Sequence, residues 1–134
     1  MPHTVIDKLA WVAIDQRKLL VTRSHGKTLY YLPGGKREPG ESDVAALVRE
    51  IDEELSVTLD AQSAQRLTQL SAQADGKPAG TLVQLTCYLA DYSGQLQPAN
   101  EIAELAWIDS QDRARCSLAA QLLLDWLQQQ QLVD

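Results

Sequence analysis

The stretch that most constrains this chain is GGKREPGESDVAALVREIDEELSV, from Gly34 to Val57. It reads as a loop that feeds a helix. Ser42 is a suitable N-cap, because its hydroxyl can accept from a free N–H of the first turn. Asp43 then stands at the positive end of the helix dipole. Val44, Leu47, Val48, Ile51 and Leu55 recur at helical spacing and predict one apolar stripe. At ~100° per residue the stripe is wide enough to dock the helix on a core.

The opposite face breaks local rules. Glu50, Glu53 and Glu54 stand at i, i+3 and i+4, with Asp52 beside them. Like charges at that spacing repel by a few tenths of a kcal/mol per pair. They also fall in the last turns, where the dipole disfavours anions by about 0.3–1 kcal/mol each. Two readings account for such a face. It is a solvated acidic surface, or its carboxylate oxygens gather around a divalent cation such as Mg²⁺, which reverses the sign of the repulsion.

The wider spacing separates these readings. Gly35 is followed by five residues and Glu41, then by seven residues and Arg49-Glu50-Ile51, and after one more residue by Glu53-Glu54 and Val57. This pattern resembles the Nudix box, G-x5-E-x7-R-E-U-x-E-E-x-G-U with U aliphatic. One position departs: Ser56 stands where the family has its last glycine. That glycine follows the helix, where a left-handed cap is common. A serine forced to positive φ there costs on the order of 1 kcal/mol.

The resemblance implies an α/β/α sandwich, with a mixed β-sheet between the box helix and a C-terminal helix, in one domain over residues 1–134. It also implies a metal-dependent hydrolase that cleaves a nucleoside diphosphate linked to another group, using Mg²⁺ or Mn²⁺. On the family pattern, Glu53, Glu54 and the Gly34 carbonyl are metal ligands. Glu50 binds metal or acts as general base, and Arg49 and Glu41 orient the ligating carboxylates. A carboxylate from a later loop often completes such a site. Glu104, directly before the last strand, is favoured over Glu101. Lys36, Arg23 and Gly35 are the expected substrate contacts, with His25 as a further loop candidate. Tyr30, Tyr31, Tyr88 and Trp107 could stack on a base. The region Arg115-Cys116-Ser117-Leu118 lacks the asparagine with which MutT-like members read oxidised guanine, which weakens that substrate assignment. A catalytically idle nucleotide sensor on the same fold is the alternative, and the complete set of box carboxylates argues against it.

The rest of the chain supports this order. Val5–Ile14 predicts a strand covered on both faces, with Leu9, Trp11 and Ala13 on one side and Ala10, Val12 and Ile14 on the other. Leu19–Arg23 and Leu29–Leu32 follow as strands, the latter ended by Pro33. Leu67–Ala74 and Thr81–Asp91 flank Asp75-Gly76-Lys77-Pro78-Ala79-Gly80 and predict a hairpin. Ala103–Asp109 is a last strand. Ser117–Gln131 is a final helix with Leu118, Leu122, Leu123, Trp126 and Leu127 as its apolar side. Cys87 and Cys116 have no metal-ligand spacing. The net charge of −6 disfavours a long nucleic acid but leaves room for a small phosphorylated substrate beside a cation. With no membrane-span pattern and no signal-peptide pattern at the start, cytoplasmic residence is the expectation. A homodimer is expected only from the resemblance.

Overall fold

Residues 4–134 are described by the computed structural model, and the alternation along its first strand sets the architecture. That strand is β1 (Thr4–Trp11). Its Leu9 and Trp11 enter one hydrophobic cluster and its Ala10 another, which Val12 beyond the strand's end joins. The first cluster is roofed by helix α1 (Asp43–Leu55) and the second by helix α2 (Leu118–Gln129). A layer of strands covered on both faces by helices is the α/β/α sandwich expected.

The remaining strands are β2 (Ile14–Asp15), β3 (Lys18–Ser24), β4 (Gly34–Lys36), β5 (Thr58–Leu59), β6 (Gln65–Gln73), β7 (Thr81–Leu89), β8 (Tyr92–Ser93) and β9 (Ile102–Ile108). One sheet has the order β4-β1-β7-β6 and is mixed, since β1 runs parallel to β7 and antiparallel to β4. The second, β2-β3-β9, is antiparallel, and β5 pairs with β8. Both main sheets feed the same two clusters: Leu20 and Leu105 join Leu9 and Trp11, while Val21 and Ile108 join Ala10 and Cys87.

Several local expectations need correction. Gly34–Lys36 is an edge strand rather than loop, because its backbone pairs with Lys8–Ala10. Leu29–Leu32 is not a strand: only single bridges, Thr22 to Tyr31 and Tyr30 to Cys116, tie it down. The first strand ends at Trp11, and Ile14–Asp15 instead makes a tight hairpin with β3 through Gln16 and Arg17, both at positive φ. On α2, Leu118 and Leu122 are 52% and 40% exposed. The face toward the sheet is Ala119, Ala120, Leu123, Leu124 and Leu127. Two alanines there let the helix approach the strands closely, and that turns the flanking leucines outward. On α1, Ala46 is buried in place of Val44.

The end of α1 bears out the concern over Ser56. It caps the helix at φ 64°, ψ 24°, in the left-handed region, and its N–H donates to the Asp52 carbonyl at 3.1 Å. A side chain is strained there, and Ser56 is exposed. Ser56→Gly is therefore expected to stabilise the protein by about 1 kcal/mol, seen as a rise of ~3–5 °C in the thermal midpoint. An unchanged midpoint would show that the serine hydroxyl offsets the strain.

Candidate active site

Docking of Leu47, Ile51 and Leu55 on the core fixes the rotation of α1. The next residues around the helix, Glu50 and Glu54, then face a cleft of about 490 Å³ whose edge is β4. Glu54 is only 7% exposed. Its Oε1 accepts the Gly34 N–H at 3.0 Å. Burial pushes its carboxyl up to about 8, with Glu50 and Glu101 adding to the rise, and the Gly34 bond only partly opposes it. Burial also raises the Glu50 carboxyl, in spite of Arg49.

Gly35 is the slot for Glu50. A Cβ on Gly35 would lie 2.5 Å from the Glu50 carboxyl carbon, so any other residue there would push this carboxyl out of its position. Arg49 holds the arrangement from outside. Its Nε and Nη2 donate to both oxygens of Glu41 at 2.9 and 2.8 Å. Its Nη1 donates to Glu50 at 3.0 Å, and Nη2 also reaches the Lys36 carbonyl at 3.1 Å. The forked pair with Arg49 holds the Glu41 carboxyl down at about 2. Glu53 is half exposed and lies 3.6 Å from the same guanidinium.

The last turn of α1 also recruits the later loop. The Asn100 side chain donates to the Glu53 carbonyl at 2.7 Å, and the Ala99 N–H to the Glu54 carbonyl at 2.9 Å. This brings Glu101 to the cleft wall with Glu50 and Glu54. Glu104 is placed elsewhere. Its Oε1 accepts from Arg23 Nε and from the Tyr30 hydroxyl, each at 2.8 Å, and Arg115 lies over the Tyr30 ring. The expectation that Glu104 rather than Glu101 joins the cluster therefore needs revision. A β-bulge at Arg23/Ser24 shifts the β3–β9 register between Glu104 and Ile102, just before the position of Glu101.

Arg23 is likewise occupied, by Glu104 and by the Lys27 carbonyl at 3.0 Å, and it does not line the cleft. Lys36, Gly34 and Gly35 do. Of the aromatic candidates only Tyr31 reaches the cleft. Tyr30 is buried beside Glu104, Tyr88 donates to Asp43 at 2.8 Å, and Trp107 packs with the α1 cluster. His25 is exposed, and its backbone N–H donates to the Glu101 carbonyl at 2.8 Å. Sequence reasoning missed Lys8 on the cleft floor. The alternation that assigned Ala10 and Val12 to one face also assigns Lys8 to it, and that signal was readable.

Among the described residues, no three His, Cys, Asp or Glu side chains already stand at metal-ligand spacing. The donor set nonetheless suits a hard cation. It is all oxygen, it includes the buried Glu54 carboxyl without an ion-pair partner among the described residues, and glycines line its edge.

Comparison with known proteins shows the family. A family model of the NUDIX domain matches residues 8–127. The chain belongs to the Nudix family. The match extends from β1 into α2 and includes every residue that lines the cleft except Ile6. The solution structure of the E. coli ORF135 protein is 26% identical, with 92% of this chain and 88% of that chain covered and a TM-score of 0.69. A crystal structure of a nudix hydrolase family member from Chromobacterium violaceum is 25% identical, with 96% and 80% covered and a TM-score of 0.73. The fold is also that of MutT from Aliivibrio salmonicida and Vibrio cholerae, at 24% identity, 95% and 99% coverage and a TM-score of 0.71. A comparison with curated protein sequences finds no match. As a Nudix hydrolase the protein acts on phosphoric anhydride bonds of small nucleotides. No helix among the described residues is long and apolar enough to cross a membrane.

Proposed function

We propose that this Nudix protein is a divalent-metal-dependent pyrophosphohydrolase of the cytoplasm. Its substrate is a nucleoside di- or triphosphate, or a nucleoside diphosphate linked to another group, and water attacks phosphorus. The observation that supports this best is Glu54, a carboxyl group buried at the cleft, pushed up to about 8 and in no ion pair among the described residues, with Lys8 only partly offsetting the rise. A structural role alone gives no reason to bury that charge.

In this reading Glu50, Glu53, Glu54 and the Gly34 carbonyl hold Mg²⁺ or Mn²⁺, with Glu101 as the carboxylate of the later loop. When bound, the cation offsets phosphate charge and makes water a stronger acid. Glu50, fixed by Arg49 and by the slot at Gly35, accepts a proton from the attacking water. Arg49 and Glu41 keep Glu50 in place without touching substrate. Lys36 contributes a positive charge for phosphate at the cleft edge.

Phosphate and pyrophosphate release would be measured over nucleoside triphosphates, dinucleotide polyphosphates and nucleotide sugars, with Mg²⁺, with Mn²⁺ and with EDTA. Cleavage of one class is expected, with loss of at least about 100-fold in EDTA. Cleavage that persists unchanged in EDTA, or a panel left intact while a nucleotide still binds, would overturn the reading.

A further inference from the structure

Lys8 stands on β1 where the fold itself has no use for a charge. In the four-stranded sheet it belongs to a cross-strand row with Lys36 on β4, Leu85 on β7 and Leu70 on β6. The rows beside it on the same face carry Ala10 with Cys87, and Ile6 with Val83. Ala10, Leu85 and Cys87 are core residues beneath α2, with Leu70 and Val83 packed against them. A lysine at such a position ordinarily carries a partner for its ammonium group.

Among the described residues Lys8 forms no ion pair, although Glu54 and Glu50 stand near enough to act on its charge. Every ion pair there uses an arginine and none a lysine. Yet four of the five lysines, Lys8, Lys27, Lys36 and Lys77, line the one cleft that also holds Glu50 and Glu54. Lys36 is the direct cross-strand neighbour of Lys8, an arrangement that destabilises a sheet by like-charge repulsion. Lys77 adds its field from the β6–β7 turn.

That turn is held in place. The Gln73 amide donates to the carbonyls of Lys77 at 3.3 Å and Pro78 at 2.9 Å. The Tyr31 hydroxyl donates to Asp75 and ties the turn to the opposite wall. In a protein of net charge −6, four ammonium groups that line one cleft on built elements, none in an ion pair among the described residues with the carboxylates that share it, suit an anionic ligand.

We propose that Lys8 is an anion-binding residue of the cleft, which grips the phosphate chain of the substrate from the sheet side with Lys36 and Lys77 flanking it. This rests on the phosphoanhydride reading above. It adds that recognition at this point is of phosphate and not of the nucleobase.

The test uses Lys8→Met, which fills the same space in an apolar row, and Lys8→Arg, which keeps the charge. Inorganic tripolyphosphate is titrated calorimetrically into metal-free protein at neutral pH, and steady-state kinetics are run on nucleotides with different bases. Lys8→Met should weaken tripolyphosphate binding by about 10- to 100-fold, the effect of losing hydrogen bonds to a charged group. It should raise KM by a similar factor with kcat nearly unchanged, equally for every base, and leave the thermal midpoint no lower. Lys8→Arg should recover most of the binding. No tripolyphosphate binding by the unsubstituted protein, equal binding by Lys8→Met, or a loss confined to some bases would overturn the assignment. The hydrolase reading fails separately. If no nucleotide is cleaved but Lys8→Met still loses tripolyphosphate, the lysine assignment stands. If nucleotides are cleaved and Lys8→Met behaves as the unsubstituted protein, it alone falls.

Discussion

Glu54→Gln should abolish turnover and, in metal-free protein above about pH 5, raise stability. The two effects have one cause. The carboxyl titrates at about 8 in the folded protein and near 4.3 in an unfolded chain. Between those values the folded state keeps a proton that the unfolded state releases. Stability therefore falls as pH rises from about 4.5 to 8, and it is greatest below that window. Glu50, raised in the same direction by burial, adds to the slope. Glutamine keeps the shape and can still accept the Gly34 N–H, but it has no charge to bury. The gain near pH 8 is on the order of a few kcal/mol. Thermal melts in EDTA from pH 5 to 8.5 should give a falling line for the unsubstituted protein and a flatter one for the variant. Turnover at saturating Mg²⁺ should drop by at least about 100-fold in Glu54→Gln, and Glu53→Gln should lose activity on the same scale without the gain in stability, because Glu53 is half exposed. Parallel melting lines would show that Glu54 is not held protonated. Full activity in both variants would show that neither carboxylate is a ligand.

Gly34→Ala should produce the largest loss of stability of any single methyl addition at the site. Gly34 has φ +143°, and a Cβ there would lie 2.0 Å from the Leu9 carbonyl oxygen. The obstacle is backbone, so no side chain can swing away. Strand β4 would have to leave β1, and Glu54 would lose its N–H donor. A cost of about 3–5 kcal/mol is expected, at the upper end for single substitutions. Gly40 provides the control. It also has positive φ, +83°, but nothing lies within 4 Å of its added Cβ. Gly40→Ala should cost only about 1–2 kcal/mol. Urea denaturation of both variants tests the argument, and equal losses would mean that conformation, not close approach, sets the cost.

The sequence was most legible where a side chain's role depends on residues near it in the chain. The cap at Ser42 and the core-facing Leu47, Ile51 and Leu55 follow from helical spacing, whereas the orienting role of Arg49 and Glu41 was legible only through the resemblance to the Nudix box. The left-handed cap at Ser56 was legible because the pattern expects glycine there. The choice between Glu101 and Glu104 was not. That Glu101 and not Glu104 lines the cleft goes with a bulge between Arg23 and Ser24 and with hydrogen bonds from Ala99 and Asn100 to the end of α1. Those are contacts between segments far apart in sequence, and strand periodicity carries no trace of them. Leu118 and Leu122 misled for a related reason: a helix rich in leucine and alanine has more than one plausible buried side, and which one it buries depends on how closely it can approach the sheet.

The parallel pairing of β1 with β7 has a consequence for how the protein is made. Lys8 meets Leu85 and Ala10 meets Cys87, so the floor of the cleft joins the start of the chain to its second half. Strand β1 cannot take up its neighbour until residues beyond Leu89 have left the ribosome, whereas α1 is a local structure that can form well before. High sequence separation of such contacts slows folding. The acidic helix is thus expected to be ordered early and to wait for its floor, and pulsed hydrogen exchange should protect the amides of α1 before those of β1.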